Sequence, residues 1–268
     1  MTTQNPFVGP RIFEESDAHL FFGREADADA LLSLVLSRRL VLFYAPSGAG
    51  KSTLLRLIAT MIRPTAGRIT IGGIDATAQR WKVKPLIGYM PQRFGLYQDL
   101  TVEENIDFFM DVFGIHGMER QRRKEKYLGF SNLLPFLDRL SGNLSGGMKQ
   151  KLGLACVLVH EPEGLILDEP TNGVDPVSRR EFWDILLHMK EAGMTIVVST
   201  AYLDEGELCD RVALMHKARI LGVQSPDELK GTHVSLEEAV IARLVEAHVR
   251  PLQLVRTLHS EDPCLVHE

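Results

Sequence analysis

The sequence lacks what a disulfide framework, a membrane span or a polyanion-binding surface would need. Its 268 residues include only three cysteines, Cys156, Cys209 and Cys264. They are odd in number and scattered, without metal-site spacing, which suggests a reducing compartment; Cys156 lies in an apolar run and reads as core. No apolar run approaches the ~18 residues of a membrane helix, and the longest, such as Leu154 to Val159, read as core. The start, MTTQNPFVGP, has neither the charged nor the apolar stretch of a signal peptide. Any work at a membrane is therefore expected to go through other chains. Net charge is −5, so no basic excess argues for nucleic acid as a partner. No internal repeat and no low-complexity linker is visible. What remains is ordinary for a globular protein, 45% hydrophobic and 24% charged, and long enough for one large α/β domain with or without a small appendage.

Periodicity supplies the elements. Arg24 to Leu36 reads as a helix with Leu31, Leu34 and Val35 at helical spacing. Leu40 to Tyr44 is a short apolar run and reads as a buried strand, followed by a glycine-rich loop and a helix carrying Leu54, Leu55, Leu57 and Ile58. Further strands are expected at Arg68 to Ile71, Ile87 to Met90, Leu165 to Leu167, Thr195 to Ser199 and, as the last core strand, Val212 to Met215. Gly72-Gly73 reads as a turn. Helices are expected at Val102 to Phe113, Arg120 to Leu128, from Gly146 onward, Val177 to Ala192, Asp204 to Cys209 and Ser235 to His248. Strands alternating with helices argue an α/β fold with a mostly parallel sheet flanked by helices, plus a helical subdomain over about 95–160. The basic run Arg120 to Lys126 reads as a solvated helix face rather than a phosphate or lipid patch.

Chemistry enters at two places. Pro46, Ser47, Gly48, Ala49, Gly50, Lys51, Ser52 and Thr53 stand between a strand and a helix. Glycines there let backbone N–H groups curl inward around phosphates, and the helix start adds its positive dipole end. Lys51 would reach the β- and γ-phosphates and Ser52 would ligate Mg²⁺. The usual loop opens with glycine, and here that position is Ala45. Asp168 and Glu169 end a buried strand, the place where parallel sheets bind ligands. Asp168 would hold Mg²⁺ and Glu169 would polarise a water attacking the γ-phosphate.

These motifs, in order with Tyr89-Met90-Pro91-Gln92, Leu144-Ser145-Gly146-Gly147-Met148 and Pro170 to Pro176, resemble the ATP-binding cassette (ABC) ATPases, in particular the subunits of ABC-2-type drug or lipid exporters. The resemblance covers about 54–240. It implies a P-loop NTPase fold, ATP and Mg²⁺ as cofactors, and hydrolysis coupled to transport. It gives Gln92 contacts to Mg²⁺ and the attacking water, and makes 93–101 the surface where a membrane subunit docks. It assigns Ser145, Gly146 and Gly147 to the ATP of a second, facing cassette, and Asp175 to the interface between the two. The implied partners are that second cassette and membrane-spanning permease subunits, and the implied location is the cytoplasmic face of the plasma membrane.

Two departures qualify the resemblance. Ser199-Thr200 is followed by Ala201, where the family places a switch histidine. Losing that stabiliser would leave the chain's own site able to bind but catalytically weak, by ~3 kcal/mol if it acts like an oxyanion donor. Residues 1–53 do not read as the family's N-terminal antiparallel β-subdomain. Asn5 to Pro10, Phe21-Phe22-Gly23-Arg24-Glu25 and Tyr44 to Lys51 are instead similar to STAND-type signalling NTPases. Phe7, Phe13, Phe21 and Phe22 would serve as core anchors or as an apolar cover for adenine. The expected divisions are 1–53, 54–240 and a tail at 241–268. A STAND-like nucleotide switch or a non-functional fusion remain the alternatives.

Overall fold

The computed structural model describes residues 40–45 and 50–249. The expectations for 1–39, for Pro46 to Ala49 and for 250–268 lie outside these residues. Strand β1 (Leu40–Tyr44) leads to helix α1 (Lys51–Ile58), and a small hairpin of β2 (Thr70–Ile71) and β3 (Ile74–Asp75) follows. Then come α2 (Arg80–Val83), β4 (Ile87–Met90), α3 (Val102–Val112), α4 (Gly117–Phe130), α5 (Gly146–Leu158) and β5 (Gly164–Asp168). The chain continues through α6 (Pro176–Glu191), β6 (Thr195–Thr200), a 3₁₀ turn Asp204–Leu208, β7 (Arg211–His216), β8 (Arg219–Gln224), α7 (Pro226–Lys230) and α8 (Leu236–Val249).

Six strands form one sheet in the order β4-β5-β6-β1-β7-β8. Every pair is parallel except β7 with β8. Alternate residues of the central strands feed two apolar layers. Leu40, Leu42, Leu165, Leu167, Ile196 and Val198 face the layer that holds Ile106, Leu152, Phe182 and Leu186. Val41, Phe43, Ile166, Val197 and Ala213 face the layer that holds Leu54, Leu55 and Ile58. Because both faces are covered, these strands are continuously apolar rather than alternating. Cys156 and Cys209 are buried free thiols in the core, and burial raises the pKa of both.

The sheet ends differently from the reading that made Val212 to Met215 the last core strand. β8 returns antiparallel beside β7. The reversal uses Lys217 and Ala218 at φ 45° and 61°, where Asn-Gly would advertise such a turn, so nothing in the local composition announces it. The strand expected at Arg68 to Ile71 is only Thr70–Ile71, and it folds back through Gly72 and Gly73 at φ 55° and 76°. The boundary drawn at 240/241 falls within α8.

The helical layer is built locally. Thr101 caps α3 by accepting from the Glu104 amide at 3.1 Å, and the Glu104 carboxylate accepts from the Thr101 amide at 2.8 Å. The basic run in α4 is a solvated face only in part: Gln121, Arg122, Glu125 and Lys126 are exposed, while Lys124 is buried. Lys124, largely buried, lies 2.8 Å from both Glu103 and Asp107 of α3; Arg120 pairs with Asp107 and Asp111, and Arg123 and Lys126 pair with Glu161 beyond α5. These charges join helices to one another.

Candidate functional site

The site grows from the carboxyl ends of the strands. β1 is followed by Ala45, buried in the same apolar layer as Leu54 and Leu57 and without a positive φ, so its methyl group costs no backbone strain. Gly50 does need its freedom: at φ 86° it takes the left-handed conformation that starts α1. Lys51 is then the first residue of α1 and only 6% exposed. Ser52 and Thr53 follow in the first turn, half-buried.

Glu169 follows β5 at φ 49°, a conformation that a long side chain seldom adopts. It is held there because its amide donates to the Ser199 carbonyl at 2.9 Å and also lies 3.1 Å from Ser199 Oγ. Ser199 Oγ in turn donates to Asp168 Oδ1 at 2.6 Å, and Asp168 is 2% exposed. The side chain of Glu169 gathers three partners. Lys51 Nζ lies 2.9 Å from Oε1, while Gln92 Nε2 donates to Oε2 at 3.0 Å and Asn172 Nδ2 donates to it at 3.2 Å. Lys51, Gln92, Asp168 and Glu169, all singled out in the sequence, thus converge from β1–α1, β4 and β5. Ser199 and Asn172 were not read as site residues. A signal existed for Ser199: it is a polar residue inside an otherwise apolar buried strand, in register with Asp168.

Ser145, Gly146, Gly147 and Asp175 form a second group, at the tips of α5 and α6. Ser145 is the N-cap of α5 and accepts from the Met148 amide at 3.3 Å; Ser145 and Gly146 are exposed. A Cβ on Gly147 would stand 2.3 Å from Ser178 Cβ, so only glycine lets the α5 tip lie this close to α6. Asp175 caps α6 by accepting from the Ser178 amide at 2.9 Å, and that bond holds its carboxyl below the usual range.

Ala201 lies exposed just after β6, presenting a methyl group where a titratable ring was expected. Its neighbours are well held. The Arg179 guanidinium stacks over the Tyr202 ring at 3.8 Å, and buried Glu205 accepts from Thr171 Oγ1 at 2.8 Å. The segments that follow β5 and β6 are therefore tied together.

A hydroxyl on Ser52, a buried carboxylate on Asp168 and an amide oxygen on Gln92 make a hard-oxygen donor set that fits Mg²⁺. Among the described residues no cluster of three or more His, Cys, Asp or Glu could hold a metal by itself. Such a set suits an ion that shares its ligands with phosphate oxygens and water.

Comparison with known proteins agrees with this geometry. A family profile described as ABC transporter matches residues 34–172, just over half of the chain. The chain is 48% identical over 187 residues to the probable multidrug ABC transporter ATP-binding protein YbhF of Escherichia coli (strain K12). That match takes in 70% of this chain but 32% of YbhF, so the chain spans about a third of that relative's length. It is 36% identical over 217 residues to the Nod factor export ATP-binding protein I of Rhizobium sp. (strain N33), across 81% of this chain and 71% of that one. Its fold matches a dimeric bacterial ABC transporter cassette, MJ0796, with a TM-score of 0.63 and 26% identity over 70% of this chain and 85% of that one. With a P-loop NTPase sheet, convergent Lys51, Gln92 and Glu169, and these relatives, the chain belongs to the ABC transporter family and carries its ATPase domain.

Proposed function

We propose that this chain is the ATP-binding and ATP-hydrolysing subunit of an ABC-2-type exporter, one of two facing cassettes held at the cytoplasmic face of a membrane by permease subunits. The convergence of Lys51, Gln92 and Glu169 at the strand ends carries this reading. The name of the Nod factor export protein supports the direction, and the multidrug name of YbhF supports a drug-like cargo.

In this reading Lys51 exchanges Glu169 for the β- and γ-phosphates of ATP. Glu169, released on that side, orients the attacking water and receives its proton. Gln92 reports the state of that water to the segment that follows it. Ser52, Asp168 and Gln92 would hold Mg²⁺, which neutralises phosphate charge when bound. Ser145, Gly146 and Gly147 present a helix start, with its positive dipole end, to the ATP of the partner cassette. Asp175 lines the contact between the two. Because position 201 is alanine, the chain's own site is slow, while its intact signature completes the partner's.

Equilibrium binding of MgATP tests the site. Lys51→Ala is expected to abolish binding while leaving a cooperative melt, since it removes the cation that faces the phosphates. Retained affinity in a folded Lys51→Ala chain would refute the assignment. The role in trans is tested by mixing the chain with its partner cassette. Ser145→Arg should suppress turnover of the pair, and unchanged turnover would show that the signature is not used across an interface.

A further inference from the structure

We infer that an exposed basic and aromatic surface, built from Met61, Arg63, Arg68, Trp81, Lys82 and Lys84, lies against the anionic lipid of the membrane that holds the permease. The inference rests on the exporter reading above and adds a lipid contact to it. The net charge of −5 conceals a local reversal. Between Met61 and Lys84 stand five bases, Arg63, Arg68, Arg80, Lys82 and Lys84, and one acid, Asp75. Asp75 is engaged locally: it pairs with Arg68 at 3.2 Å and accepts from the Thr77 and Ala78 amides. Arg63, Lys82 and Lys84 are exposed, and no acid among the described residues pairs with them.

The same surface presents apolar groups to water. Trp81 is 71% exposed and Met61 55%. Their backbone is held. Val83, wholly buried, anchors α2, and Arg80 Nε donates to the Thr60 carbonyl at 3.0 Å while its Nη2 donates to that of Met61 at 3.3 Å. This clamp brings α2 to the turn that carries Met61, and Lys82 Nζ lies 5.2 Å from the centre of the Trp81 ring. A tryptophan and a methionine among unpaired bases fit a layer that offers phosphates and acyl chains together. Nucleic acid would answer the charge but gives Met61 nothing, and of these six side chains only Trp81 has a ring on which a base could stack. Position agrees with lipid. α2 and Lys84 lead into β4, a strand at the sheet edge, and Gln92 with 93–101, the proposed seat of the permease, follows β4. The lipid surface and the permease seat therefore flank one edge strand.

Sedimentation of the full chain with vesicles tests the assignment. Vesicles of phosphatidylcholine mixed equally with phosphatidylglycerol should bind it, more weakly as salt rises, and pure phosphatidylcholine should not. Trp81 supplies its own signal, because the only other tryptophan, Trp183, is 3% exposed. Its emission should shift to the blue on the mixed vesicles and be quenched by brominated lipid, and Trp81→Ala should remove both effects. Lys82→Gln combined with Lys84→Gln should weaken binding about 25-fold, on the order of fivefold for each base. Equal binding to pure phosphatidylcholine, binding without quenching of Trp81, or unchanged affinity in a cooperatively melting Lys82→Gln/Lys84→Gln chain would overturn the proposal. Tighter binding to an oligonucleotide than to the mixed vesicles would also overturn it and make the partner a nucleic acid. MgATP binding is read on the same preparation. Vesicle binding absent with MgATP binding present overturns the lipid surface alone, and MgATP binding absent overturns the exporter reading beneath it.

Discussion

Glu169 concentrates the chemistry of the site in one strained residue. A carboxylate at φ 49° persists only because Ser199 holds its amide and Lys51, Gln92 and Asn172 hold its oxygens. This strain of about 1–3 kcal/mol fixes where the side chain points before any ligand arrives. Ala201, two residues beyond Ser199, sets the other limit. If the missing ring is what slows the chain's own site, Ala201→His should raise ATP turnover of the assembled pair on the order of 10²-fold. Glu169→Gln should then cost little turnover in the native background and much more in the Ala201→His background. Equal losses in both backgrounds, measured as a double-mutant cycle, would show that position 201 does not limit the rate. Lys51, Asp168 and Glu169 were legible from their place at a strand or helix end, whereas Gln92 was legible only from its order among the motifs. The sequence hid Asn172, whose amide acts by reaching back three residues, a contact that only the turn after β5 creates.

At the scale of elements, the legible parts were those whose pattern is local. β4 was read with its observed bounds because four apolar-rich residues between turns leave no alternative period. α3 carries a capping box in its first turn, which sets the start that was read at Val102. β8 and the β2–β3 hairpin were hidden or shortened because their turns or their exposure carry weak signals. The basic run of α4 was read correctly for its exposed residues and missed only at Lys124, because charge alone cannot reveal that the acids this buried cation meets come from α3. Lys124 is the centre of that junction. Lys124→Ala would take this cation from Glu103 and leave Asp107 with Arg120 alone. The expected loss is about 1–2 kcal/mol in urea unfolding, discounted from the buried-pair range because Glu103 is partly exposed. A loss that vanishes at high salt would place the whole effect in screened surface charge.

Across the whole molecule, His160 joins the helical layer to the edge of the sheet. Its ring stacks on Phe113 at 4.2 Å and its Nε2 lies 3.4 Å from the Ile87 carbonyl oxygen, while its buried Nδ1 has no hydrogen-bond partner among the described residues. Burial, with nearby Arg123, pushes its pKa below the ordinary 6.5. The unfolded chain therefore binds a proton that the folded chain refuses. The stability that His160 contributes is present above about pH 6.5 and is lost as pH falls through the folded value. His160→Phe should flatten this part of the pH profile, read as a smaller drop in Tm from neutral to mildly acidic buffer. An unchanged profile would assign the acid sensitivity to other groups.

The middle place of β1 has a consequence for how the molecule opens. β1 is hydrogen-bonded on both sides, to β6 and to β7, and its residues Leu40 to Phe43 are wholly inaccessible to solvent. Amide protons of Leu42 and Phe43 should accordingly outlast those of β8 and of the β2–β3 hairpin in deuterium, exchanging only when the entire domain unravels. Gly50 and Lys51 stand just beyond this strand, so the cation proposed to meet the nucleotide would be moored to the last part of the protein to come undone.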